Sequence, residues 1–345
     1  MLDRIRAEVA AAGGWISFAR YMDLALHAPG VGYYARGARQ FGPAGDFVTA
    51  PELGSLFGRT LARQLQALPG PVLELGAGSG ALAETLLKEL DREYSILETS
   101  RALRERQGQR LGNRVRLLER LPERFSGVIV ANEVVDAMPV HAVAWRAHGV
   151  MERGVSGDLT WEDRPATGEV LNQAKAIDVP VPYQSELGLA ARAWMRTVGA
   201  QLEQGVILII DYGFPRHEYY HPQRSMGTLM CHTRHRAHGD PFLHPGEQDI
   251  TAHVDFSALA DAAREAGLDV LGYATQAQFL VNCGITEVLA QANLDNALHY
   301  APIAAEAQQL LSPAEMGELF KVLAVGRGVN TPLLGFSRGE RSHTL

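Results

Sequence analysis

Only two cysteines, Cys231 and Cys283, occur in 345 residues. That is too few for a disulfide framework or a four-cysteine zinc site, and it fits a reducing compartment. No apolar run reaches the ~18 residues a membrane span requires. The first residues, MLDRIRAEVAAAGG, carry Asp3 and Glu8 and lack a secretory hydrophobic region, so the expected location is cytoplasmic. Excess positive charge is also missing. Net charge is -7 and pI about 6.0, which argues against a nucleic-acid partner held by phosphate neutralisation. What the chain does have is 46% hydrophobic residues, enough for one large α/β domain with insertions or for two ordinary domains.

The most informative stretch is PVLELGAGSG at 71–80, followed by ALAETLLKEL. Val72, Leu73 and Leu75 make a short strand-like run, Gly76, Gly78 and Gly80 a turn, and residues 81–90 a helix with leucines at 82, 86, 87 and 90. Glycines in such a loop let a ligand lie against bare backbone, while the N–H groups opening the helix sit at the positive end of its dipole. A dinucleotide fingerprint would read G-x-G-x-x-G. Here the loop is Gly76-Ala77-Gly78-Ser79-Gly80, and the strand before it carries Glu74. A carboxylate beside the loop suits a sulfonium and ammonium ligand better than a diphosphate, which disfavours an NAD-dependent oxidoreductase. A second strand over 94–97 ends in Glu98, 22 residues beyond Gly76, near the offset at which an acid meets a ribose diol.

The pattern E-L-G-A-G-S-G resembles motif I of class I S-adenosylmethionine-dependent methyltransferases. In that family the acid near the end of the first strand lies beside the methionine end of the cofactor, and the glycine loop passes under its sugar. The run from Ile16 to Gly58, with the words GYY, GDF-x-T-x-PE and LFG in order, resembles the N-terminal signature of the MidA family, whose mitochondrial members are complex I assembly methyltransferases. In such proteins this segment precedes the methyltransferase core and helps close over the cofactor. Asp46, Thr49 and Glu52 are accordingly lid residues by resemblance. Thr49 and Glu52 also satisfy a capping box, with Pro51 in the first turn of a helix expected to run to about 68.

A helix over 100–111 and a strand over 115–118 follow. Leu121, in the loop after that third strand, is placed beside the adenine by the methyltransferase plan. GVIVA at 127–131 is the fourth strand, and Asn132-Glu133-Val-Val-Asp136-Ala-Met-Pro139-Val140 stands at its carboxyl end, where ligands gather in open α/β sheets. N-E-x-x-D-A-x-P-V is again a MidA-family match. A planar, permanently charged guanidinium needs carboxylates to pair with it and orient one nitrogen. Glu133 is the first choice for that contact and Asp136 the second, with Asn132 beside them. Asn132 and Asp136 as caps of the next turn is the other reading.

Alternation over 141–163 predicts two or three strands in an insertion, and 186–204 reads as a helix. GVILIID at 205–211 is the fifth strand, ending in Asp211. The polar stretch 214–249 holds HTRHRAH, but Arg234 and Arg236 would repel a cation and the spacing fits no usual ligand set, so no metal is expected. P-G-x-x-D-I-T-x-H-V-D-F at 245–256 is a third family word. It offers His253 and Asp255 as substrate contacts beside Asp211, with Asp255 capping the helix 256–266 as its other role. A strand over 269–274, helices over 285–299, 302–311 (with Pro302 in the first turn) and 314–322, and a last strand over 333–337 complete the expectation.

The expected fold is a Rossmann-like α/β methyltransferase with a mixed seven-stranded sheet, an N-terminal helical lid over 1–70, and a core over 71–345 with insertions at about 140–183 and 214–250. Family resemblance implies S-adenosylmethionine as cofactor and an arginine side chain of a partner protein as acceptor, with a respiratory complex I subunit as precedent. A non-catalytic assembly factor that keeps the cofactor pocket is the alternative, and a homodimer stays open.

Overall fold

The computed structural model describes residues 1–36, 49–233, 236–292 and 297–345. Among the described residues no helix is long and apolar enough to cross a membrane. They fall into two compact units. One comprises the described parts of 1–47, 135–194 and 214–258, the other those of 48–134, 195–213 and 259–345. The segment expected as one N-terminal piece is thus shared between them.

The second unit is built on β1 (Val72–Leu75), β2 (Tyr94–Leu97), β3 (Arg116–Leu118), β4 (Phe125–Asn132), β5 (Leu202–Phe214), β6 (Asp269–Thr275) and β7 (Phe320–Arg327). Their spatial order is β3-β2-β1-β4-β5-β7-β6. The first five run parallel, and β7 is antiparallel to both β5 and β6. Uninterrupted apolar runs such as Val128–Ala131 and Val206–Ile210 are what parallel strands covered on both faces require. Val72, Val128, Val130, Val206, Leu208 and Ile210 pack with Leu61, Leu65, Leu82 and Leu86 of the flanking helices in one core.

The other unit gathers what the sequence places far apart. Three strands of the first insertion, His141–Arg146, Gly149–Ser156 and Trp161–Pro165, join Trp15–Ser17 and Tyr183–Leu187 in a five-stranded antiparallel sheet. The second insertion contributes a three-stranded sheet of Met230–Thr233, Arg236–His238 and Asp249–Thr251. Phe18, Tyr21 and Met22, on the helix Phe18–His27, are buried with Val155, Cys231 and Ile250. Ser17 starts that helix by accepting the Arg20 N–H at 3.2 Å, an ordinary N-cap.

Several elements differ from expectation. The last strand is Phe320–Arg327, and residues 334–336 form a 3-10 turn. Good helix formers at 314–321 suggest a helix, but only Met316–Leu319 is helical. Pairing of the VLAV run between two strands overrides local propensity. Glu186 belongs to a strand, and the helix after it is Leu189–Gln201. The helical region expected over 285–299 is the short helix Ile285–Leu289 and, separately, Ala297–Leu311, which carries Pro302 inside it rather than in its first turn. The helix opened by Thr49 stops at Leu53, and a new one, Leu56–Gln66, begins after an extended Gly54.

That second helix has an unusual cap. Ser55 makes no side-chain cap bond. Instead Glu306 Oε1, buried on the helix Ala297–Leu311, accepts the Leu56 N–H at 2.7 Å and the Phe57 N–H at 3.3 Å. An anion at a helix N-terminus satisfies two donors that would otherwise be buried and unpaired. Glu306→Ala is expected to destabilise the protein by about 1–3 kcal/mol, with Glu306→Gln losing less because an amide oxygen can still accept. Urea unfolding of the two variants checks this, and equal stability of Glu306→Ala and wild type would remove the cap.

Candidate functional site

Parallel register aligns the carboxyl ends of the central strands. Leu75 is level with Leu97 and with Ala131, and Ile210 with Asn132. The ladder continues past the strands, the Gly76 N–H donating to Leu97 O at 3.0 Å and the Glu133 N–H to Ile210 O at 2.9 Å. Gly76, Glu98, Asn132, Glu133 and Asp211 therefore stand along one sheet edge. Strand order reverses between β1 and β4, and such a reversal opens a ligand crevice outside the carboxyl ends.

The glycine loop follows β1 with Gly76, Gly78 and Gly80 at φ of 65°, 52° and 82°. Close approach leaves no room at the first of them: a Cβ on Gly76 would lie 2.9 Å from Val134 Cγ2. Ala77 is 9% exposed. Ser79 Oγ donates to the Glu52 carboxylate and accepts Arg110 Nη1 at 3.0 Å. Glu52 therefore does not close a capping box. Thr49 makes no side-chain cap bond either, and the loop rather than the helix start takes the Glu52 charge. Asp46 lies outside the described residues.

Glu74 is buried on β1, and its Oε2 accepts the Tyr94 hydroxyl at 2.7 Å. Burial pushes its carboxyl up to about 7 against that bond, with the charge of Glu98 adding to the rise. A carboxyl whose folded pKa exceeds its unfolded value binds more protons when folded. Its stabilising contribution is full below about 4.5 and is lost as pH rises through about 7. The difference is on the order of 3 kcal/mol. Glu74→Gln is thus expected to flatten the pH dependence of unfolding between pH 5 and 8, seen by urea titration at each pH. Identical profiles for variant and wild type would place the carboxyl elsewhere on the scale.

Glu98 is 6% exposed at the end of β2. Its Oε1 accepts the Ser100 N–H at 2.8 Å and its Oε2 accepts Gln107 Nε2 at 3.3 Å. Burial holds its pKa above the ordinary carboxylate value. Asn132 Nδ2 donates to Glu133 Oε1 at 3.2 Å, while Asn132 Oδ1 is buried without a hydrogen-bond partner among the described residues. Glu133 itself has φ 52°. A bulky residue in that region costs about 1–3 kcal/mol and persists where the surroundings over-determine it, as at functional sites.

Leu121 is half-buried just past β3. Asp211 is fully buried, and its Oδ1 accepts the Tyr212 N–H at 2.9 Å. Asp136, His253 and Asp255 belong to the other unit. There the Asp136 carbonyl accepts the Ala252 N–H at 3.1 Å. The His253 ring stacks on Phe214 at 5.2 Å, and Asp255 Oδ1 accepts the Ala258 N–H at 3.0 Å, its capping role. No group of three metal-ligating side chains occurs among the described residues, and Arg234 and His235 lie outside them.

Sequence reasoning passed over Tyr94, Ser79, Gln107 and Arg110. Gln107 carried a usable signal: it shares the buried stripe of the helix Arg101–Leu111 with Leu103 and Leu111, a polar residue at i+4 spacing where leucine is the default. Together these groups fit a cationic nucleoside. A buried carboxyl is poised to ionise, backbone is exposed by glycine, a ribose-type acid is held by donors, and an asparagine oxygen is unsatisfied.

A profile of the S-adenosyl-L-methionine-dependent methyltransferase family matches residues 56–274. A crystal structure from Burkholderia thailandensis, bound to S-adenosyl-homocysteine, is 52% identical and superposes with a TM-score of 0.96 over 100% of this chain and 96% of that one. Among curated relatives, the protein arginine methyltransferase NDUFAF7 homolog, mitochondrial, of Drosophila melanogaster is 28% identical, with 97% of this chain and 88% of that one covered. The Danio rerio protein arginine methyltransferase NDUFAF7, mitochondrial, is 28% identical, with 91% and 84% covered.

Proposed function

Since this chain belongs to the S-adenosyl-L-methionine-dependent methyltransferase family matched over residues 56–274, we propose that its methyl acceptor is an arginine guanidinium on a partner protein. The observation that carries this reading is Glu133, held at φ 52° directly beyond β4 with Asn132 bonded to its carboxylate. The names of the curated relatives support the same acceptor. A respiratory complex I subunit is the acceptor that the family precedent suggests.

Bound S-adenosylmethionine supplies an electrophilic methyl on a positively charged sulfur. The chain's own residues orient and neutralise. Glu133 accepts guanidinium N–H bonds and turns one nitrogen lone pair toward the methyl, while Asn132 fixes the carboxylate rotamer. As the N–CH3 bond forms and the S–CH3 bond breaks, the nitrogen loses a proton to Glu133 or to water, so no strong base is needed. Positioning supplies much of the rate, up to about 7–11 kcal/mol in favourable cases.

Incubation with methyl-labelled S-adenosylmethionine and a cell lysate, followed by mass spectrometry, tests the proposal. Label on arginine of a discrete protein is the expected result. Label on another residue type would overturn the acceptor assignment, and cofactor binding without any transfer would point to a non-catalytic assembly factor.

A further inference from the structure

Gln107 is fully buried, and its amide nitrogen has two acceptors. Nε2 donates to Gly78 O at 2.9 Å and to Glu98 Oε2 at 3.3 Å. One partner belongs to the glycine loop and the other to the acid beyond β2, 20 residues further along the chain. Both are acceptors, so the amide can face them only with its nitrogen. The consequence is that Oε1 is left buried with no hydrogen-bond partner among the described residues. An unsatisfied buried carbonyl is a net cost to folding. A leucine like those at 103 and 111 would avoid that penalty, so stability alone does not account for the amide.

Three residues further along the same helix, Arg110 donates to Ser79 Oγ at 3.0 Å. The helix thus reaches two successive loop residues. Arg110 is exposed and shared with Glu84 at 2.7 Å, whereas the Gln107 amide nitrogen is bonded only to the Gly78 carbonyl and the Glu98 carboxylate among the described residues.

We propose that Gln107 is a positioning residue for ribose recognition: its amide nitrogen holds the Gly78 carbonyl and the Glu98 carboxylate at one fixed spacing, so that Glu98 presents its oxygens to the ribose hydroxyls. The proposal rests on the S-adenosylmethionine reading of the glycine loop. Removing the amide leaves Glu98 its backbone bond at Ser100 but frees the second oxygen to rotate, and the penalty falls on ligands that carry the hydroxyls.

The test measures calorimetric affinity for S-adenosyl-homocysteine and for its 2′,3′-dideoxyribose analogue. Wild type is expected to prefer the hydroxylated ligand by about 100-fold, the scale on which losing hydrogen bonds to a charged group weakens binding. Gln107→Leu should shrink that preference to below about 10-fold while binding the dideoxy analogue as wild type does. Gln107→Glu, which keeps the shape and adds a second carboxylate beside Glu98, should lose preference at pH 8 and regain it toward pH 5, where a protonated carboxyl can donate. A folded Gln107→Leu or Gln107→Glu protein with undiminished preference at pH 8 overturns the proposal. Failure of wild type to bind S-adenosyl-homocysteine at all would instead strike the cofactor reading on which it stands.

Discussion

Glu133→Gln is expected to bind S-adenosyl-homocysteine as wild type does and to lose turnover by about 10²–10³-fold, the scale of one preorganised electrostatic contact. The substitution keeps the shape of the side chain, and its amide oxygen can still accept the Asn132 N–H. What it removes is the charge that pairs with a guanidinium. A second variant separates function from folding. Because Glu133 has φ 52°, Glu133→Gly relieves backbone strain and is expected to melt no lower than wild type while being equally inactive. Steady-state kinetics with the labelled acceptor, alongside melting curves, gives both readings. Turnover retained in Glu133→Gln would take that carboxylate out of the reaction.

Much of the central architecture can be read from local chemistry. The apolar runs 72–75, 127–131 and 205–211 are strands because nothing else buries both faces of such short segments. Glu74, the glycine loop and Glu98 are legible because a carboxylate, a tight turn and a second acid recur at one spacing. Partnerships set by tertiary contact are not legible in the same way. Nothing around Glu52 says that its carboxylate meets Ser79 rather than the backbone of its own helix, and nothing around Ser55 says that Glu306 caps the following helix from 250 residues away. The strand Phe320–Arg327 is hidden for the complementary reason: its flanks favour helix, and only pairing with β5 and β6 makes it extended. Asp136, His253 and Asp255 look like neighbours of the loop in the family words, yet all three belong to the other compact unit.

Gly78→Leu is expected to weaken S-adenosyl-homocysteine binding by more than about 100-fold, a loss of roughly 2.7 kcal/mol, while the protein still folds. Two effects separate this position from its neighbour Gly76. At Gly76 the new Cβ meets Val134 Cγ2 at 2.9 Å, so Gly76→Ala forces the chain beside Glu133 to shift and should lower the melting temperature as well as activity. At Gly78 the backbone lies at φ 52°, where a side chain costs only about 1–2 kcal/mol, and the Gly78 carbonyl is held by Gln107 from a different helix, which keeps the loop in place after substitution. The damage should therefore appear in ligand affinity more than in stability, because a leucine occupies the bare surface on which a nucleoside would rest. Calorimetry with S-adenosyl-homocysteine and a thermal melt on each variant separate the two outcomes. Binding of Gly78→Leu within about threefold of wild type, below 1 kcal/mol, would mean that this loop does not carry the ligand.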